Sequence, residues 1–88
     1  MATFNENDVI RIVLDVAGKN DVPTDTPGIK KKKLINNLDY NDNLMSVLQV
    51  ALDDYVKTIN PAAAVSDDDL GGCETVQDVI DVVEKALS

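Results

Sequence analysis

Apolar residues recur along this chain at helical spacing. Val9, Ile12, Val13, Val16 and Ala17 step by three and four positions, which places them on one face of a helix. Thr3 followed by Glu6 is a capping-box pattern that starts this helix, and Gly18 is a left-handed stop for it. From Lys19 to about Lys33 the period vanishes. Asp21, Pro23, Asp25, Pro27 and Gly28 crowd together there, so a long loop crossing the surface is expected, with the run Lys30 to Lys33 at its end.

A second helix is predicted from Asp42 or Asn43 to Lys57, with Asp42 as a cap comparable to Ser or Asn. At about 100° per residue, Leu44, Leu48, Ala51, Leu52 and Tyr55 share its core face with Met45 at the border, while Ser46, Gln49 and Asp53 lie opposite. Pro61 ends the region and Ala62 to Val65 cross to the next element. Ser66 ahead of Asp67, Asp68, Asp69 and Leu70 reads as the cap of one short turn, closed by Gly71 and Gly72. Thr75 with Asp78 is a second capping box, and Val76, Val79, Ile80, Val83 and Leu87 form the last buried stripe. The pattern predicts one all-α domain over residues 1–88, a mostly antiparallel bundle of three main helices and one short third helix. Val13, Leu48, Val79, Ile80 and Val83 are its expected core.

The 88 residues allow one modest core and no deep catalytic cleft. With no Trp, one Phe and two Tyr, that core is aliphatic. The net charge of −8 is uneven: residues 1–38 hold six cations against five acids, and residues 39–88 hold two against eleven. An acidic half of that density repels phosphate backbones and anionic lipid. Nucleic acid and membrane are therefore not expected partners, whereas basic protein surfaces are. The run Lys30 to Lys33 would either hold an acidic partner or fold back on the acidic helices. Cys73 stands alone, no stretch reaches the roughly 18 apolar residues of a membrane span, and the opening MATFNEND lacks the order of a signal peptide. A cytoplasmic monomer is expected.

The chemistry of an enzyme is missing. There is no His, no nucleophile paired with a base, and no glycine-rich phosphate loop. Asp67 to Asp69 lack the ligand spacing of a calcium loop, so a solvated helix start is expected and no metal. Cys73 precedes the last helix, whose dipole would lower its pKa, but a small buried cysteine is the commoner case.

The residues do resemble one family, the acyl carrier proteins. The last helix of that family commonly reads Thr-Val-x-Asp-Val/Ala-Ile/Val-x-x-Ile/Val, and Thr75-Val76-Gln77-Asp78-Val79-Ile80-Asp81-Val82-Val83 fits it position by position. Ala51-Leu52-Asp53-Asp54 looks like the Ala-Leu-acid-acid near the end of its second helix. The Thr-x-x-Glu opening, the long first loop and the acidic short helix fall in family order. The resemblance implies a four-helix bundle that presents acyl or peptidyl intermediates to the enzymes of fatty acid, polyketide or nonribosomal peptide synthesis.

It also implies a cofactor, 4'-phosphopantetheine, carried on the serine of an Asp-Ser-Leu motif at the start of the second helix. Gapless matching from Ala51-Leu52 lays Asn41-Asp42-Asn43 on that motif, with Asp42 at the serine. Matching Leu44 to the motif leucine puts Asn43 there instead. In both registers the hydroxyl is gone. Pantetheinylation needs an alcohol that leaves a stable phosphodiester; a carboxylate would form a mixed anhydride that water cleaves, and an amide is scarcely nucleophilic. Ser46, one turn inside the helix, is the remaining candidate for a relocated site, against its reading as a solvated serine. Acids that usually follow the motif leucine are replaced by Leu44 and Val47, and Val47, Val50 and Asp54 form a stripe at the edge of the core face. Leu44, Val47, Val50 and Asp54 are the expected docking residues. Two functions follow: a variant carrier protein without the ordinary attachment site and without the cofactor, or a scaffold for protein–protein interaction on the same fold.

Overall fold

The structure, a computed structural model, describes residues 4–88. Thr3, half of the expected first capping box, lies outside the described residues. Helix α1 (Glu6–Val16) is capped instead by Asn5, whose Oδ1 accepts a hydrogen bond from the Asn7 amide at 2.9 Å. Glu6 is thus the first helical residue, and its carboxylate takes Lys30 Nζ at 2.7 Å. The buried residues of α1 are Val9, Ile10, Val13 and Leu14, while Ile12, Val16 and Ala17 are only partly buried. This face is rotated from the expected stripe because α1 packs against two helices rather than one. Gly18 follows at φ 75°, the left-handed stop anticipated.

The long connection after α1 does more than cross the surface. Gly28 at φ 76° leads into a 3₁₀ turn, Ile29–Lys31, and Ile29 is buried in the core. The next residues pair with the start of the last helix: the Leu34 amide donates to Glu74 O at 2.9 Å and the Val76 amide to Lys32 O at 3.1 Å. This makes one antiparallel bridge, Lys33 to Thr75, and no strand among the described residues. Helix α2 (Leu34–Leu38) has no counterpart in the expected order. Its five residues are too few to leave a period, yet it buries Leu34 and Leu38. Asp39 ends it at φ 60°, a left-handed position that a short polar side chain tolerates.

Helix α3 (Asp42–Ile59) is the predicted second helix, two residues longer than expected at its C-terminal end. Its cap is Asn41 rather than Asp42: Asn41 Oδ1 accepts from the Leu44 amide at 2.9 Å, and Asp42 is already helical. Leu48, Leu52 and Val56 are its buried residues. The short third helix is α4 (Asp67–Gly71), and the last is α5 (Val76–Ala86). Both carry reciprocal capping boxes: the one anticipated at Thr75 with Asp78, and one at Ser66, expected only as a cap, which Asp69 completes. The described residues thus form an all-α fold of five helices. Its shortest dimension, 18 Å, leaves room for two helix layers around one aliphatic core. Val13, Leu48, Val79, Ile80 and Val83 are all buried in it. None of the described helices is long and apolar enough to cross a membrane.

Val83 is fully buried among aliphatic side chains with no polar partner nearby. Val83→Asp should therefore destabilise by roughly 4 kcal/mol or more, read as loss of the cooperative thermal transition in circular dichroism.

Three carboxylates titrate below the ordinary aspartate value of 3.8. Asp53 is held down by its hydrogen bonds from Lys57 and then Val65, Asp69 by the Ser66 amide, and Asp78 by the Glu74 and Thr75 amides. Stability from a lowered carboxylate is complete above its unfolded value and is lost as pH falls through its folded value. The melting temperature should stay level from neutral to about pH 5 and drop below about pH 4. Asp78→Asn should melt lower at neutral pH and show a shallower acid decline.

Candidate functional site

The start of α3 is where the sequence places the chemical question. Asn41, the capping residue, and Asp42 and Asn43, the first two helical residues, are all exposed. Of the two hydroxyls nearest in sequence, Tyr40 is unavailable. Its ring is buried and its hydroxyl donates to Val13 O, and burial drives the phenol well above its usual pKa. Ser46 is exposed one turn into the helix. Leu44 and Met45 are half-buried and pack against the core. Leu44, one of the four expected docking residues, thus keeps only part of its side chain at the surface.

Val47, Val50 and Asp54 do share one exposed strip. Val47 is 54% exposed and Val50 57%, and no other element covers them. The side of α3 assigned to solvent behaves differently. Gln49 Nε2 donates to Val65 O at 2.6 Å, and Asp53 Oδ1 accepts from the Val65 amide at 3.0 Å and from Lys57 Nζ at 2.6 Å. Both backbone polar groups of the buried Val65, its N–H and its C=O, are thus held by α3, and the α3–α4 connection covers that face. Asp53 gave a local signal, its spacing of four to Lys57. Nothing local pointed to Val65, which lies 12 and 16 positions away.

A cleft opens beside the α3 tip. Asp42 and Met45 from α3, Leu34 and Ile35 from α2, and Asp67 and Leu70 from α4 enclose about 240 Å³ together with Gly71 and Cys73. Ile35, on the helix that sequence reasoning did not foresee, is 69% exposed. A larger hollow of about 410 Å³ lies between α1 and the first loop, but two of the charges lining it, Glu6 and Lys30, neutralise each other. Lys30 thus folds back on an acid, on α1, while Lys31, Lys32 and Lys33 remain exposed. The described residues hold no group of three or more His, Cys, Asp or Glu side chains that could bind a metal ion.

Cys73 is half-buried, and its Sγ donates to Asp69 O at 3.7 Å. Burial first, and then the nearby carboxylates of Asp78, Asp69 and Asp81, push its pKa from 9.0 up to about 11. The α5 dipole does not outweigh these effects. Cys73 should therefore react with iodoacetamide at neutral pH about a hundredfold more slowly than an unperturbed thiol. Its rate, followed by intact mass, should climb until about pH 11.

The tip of α3 thus presents the side chains of Asn41, Asp42 and Asn43, a carboxylate and two amides with no alcohol, next to an apolar cleft with acids on its rim. Comparison of the chain with protein-family models, curated proteins and solved structures finds no match.

Proposed function

We propose that this chain is an acyl carrier protein-like protein with a variant phosphopantetheine attachment motif. It would act in fatty acid, polyketide or nonribosomal peptide biosynthesis by docking to partner enzymes rather than by catalysing a reaction. The segment Thr75 to Val83 carries this reading: its resemblance to the family's last helix extends from the capping pair Thr75 and Asp78 to the stripe Val76, Val79, Ile80 and Val83. The order of a first helix, a long connection, a long helix, a short acidic helix and a last helix supports it as well. Net charge directs docking towards basic enzyme surfaces, and the expected setting is a cytoplasmic monomer.

The cap at Asn41 favours the gapless register. An Asp in the first motif position would cap the helix as Asn41 does, and Asp42 then stands at the serine. In this reading the native chain carries no prosthetic group, and Ser46 is a solvated side chain. A second reading, a scaffold that keeps the bundle for protein–protein interaction alone, is favoured by the exposed Val47 and Val50 beside a tip that has lost its alcohol.

Incubation with coenzyme A and a broad-specificity phosphopantetheinyl transferase should leave the intact mass unchanged. A gain abolished by Ser46→Ala would overturn the assignment of Ser46. Asp42→Ser and Asn43→Ser leave the Asn41 cap in place, so both should melt within about 0.5 kcal/mol of the native chain. On the carrier reading, Asp42→Ser gains the mass of the arm. If neither variant is modified although both fold, transferase recognition is lost as well and the scaffold reading stands.

A further inference from the structure

Ile35 is the most exposed large apolar side chain of the described residues, and its surroundings are not those of a stray surface residue. It stands on α2 as a ridge between two clefts, of about 240 and 250 Å³, and lines both. On one side, Leu34 and Leu70 are buried beneath the cleft and Met45 packs beside them. The rim there carries Asp42 and Asp67, no cation lines it, and neither carboxylate has an ion-pair partner among the described residues. On the other side, Lys33 and Glu74 balance each other in sign.

Size and charge together restrict what fits. A cleft of about 240 Å³ is smaller than the roughly 300 Å³ at which sites for free small ligands begin, so it suits a side chain presented by something larger. Two carboxylates at the rim repel the head group of a fatty acid or a phosphate and attract a cation. Apolar walls with an acidic rim therefore select an apolar side chain that has a cation beside it. We infer that this face is the docking site for a peptide segment of a protein partner. In it, a large aliphatic or aromatic side chain enters beside Ile35 and Met45, and a neighbouring lysine or arginine lies over Asp42 and Asp67. The buried apolar anchor supplies affinity, and the charges supply orientation and rapid association. The cleft exists whatever the fate of positions 42 and 43, so docking there is independent of any attached group.

The full chain can be titrated against a fluorescent peptide alternating pairs of leucine and lysine. Two controls accompany it, one with serine for leucine and one with glutamate for lysine. The leucine–lysine peptide should bind, with amide shift changes centred on Ile35, Asp42, Met45, Asp67 and Leu70, and neither control should. Ile35→Ser removes an exposed side chain and should keep the native melting curve while weakening binding about tenfold or more. Asp42→Asn combined with Asp67→Asn should remove most of the salt dependence. No binding by the leucine–lysine peptide would overturn the assignment. So would equal binding of the serine control, shift changes centred on Val47 and Val50, or native affinity in Ile35→Ser. Binding of the glutamate peptide or of decanoate in the cleft would overturn it too, since the face would then take anionic amphiphiles.

Discussion

Val13 on α1, Leu48 and Leu52 on α3, and Val79, Ile80 and Val83 on α5 are excluded from solvent in one aliphatic cluster, and every other element is placed by the need to close it. No helix here can hide its apolar stripe alone. Burial of such surface is worth about 25 cal/mol per Å², spread over branched side chains with no Trp to dominate. The cluster tolerates few polar groups. Tyr40 enters with its hydroxyl bonded to Val13 O, and no buried side-chain polar atom among the described residues lacks a partner. Ile29, Leu34, Val65 and Leu70 then seal the cluster from segments that are loops or single turns.

Closing a core with such short pieces requires that their backbone groups find partners without long ladders. Three devices supply them. Side-chain caps at Asn5, Asn41, Ser66 and Thr75 serve the free amides at helix starts. The bridge between Lys33 and Thr75 joins the end of the first connection to the start of α5. Gln49 and Asp53 clasp the peptide groups of Val65. The last device decides which surface of α3 meets solvent. With Gln49 and Asp53 engaged, the strip of Val47, Val50 and Asp54 is among the surfaces of α3 left open.

The same closure builds the α3 tip. Leu34 and Leu70 come to Met45 because α2 and α4 each need somewhere to bury a leucine, and Ile35, next to Leu34, is thereby turned outward beside Asp42. A helix start with an exposed acid thus adjoins an apolar hollow. At that position a carboxylate repels an anionic arm and attracts a cation, so the chemistry of the tip follows from one side chain while its shape follows from three helices.

Locally encoded features were legible in the chain. The helical periods of α3 and α5, the cap at Ser66, the capping box at Thr75, the stop at Gly18, the absence of an alcohol at positions 42 and 43 and the exposed stripe of Val47 and Val50 each depend on residues within about two turns of one another. What local sequence could not convey involves contacts between distant segments. The two-sided burial of α1 brought Ile10 and Leu14 inward, the pairing with residues 74–76 accompanies a helix at Leu34 too short to show a period, and Val65 drew Gln49 and Asp53 out of solvent. The cap moved from Asp42 to Asn41 because both are competent caps by propensity, and only the backbone path out of α2 selects between them. Residue type and spacing therefore determined which elements form and which chemistry the α3 tip lacks. Tertiary structure alone decided which faces are covered and where the cleft opens, because burial is a property of surfaces brought together from separate parts of the chain.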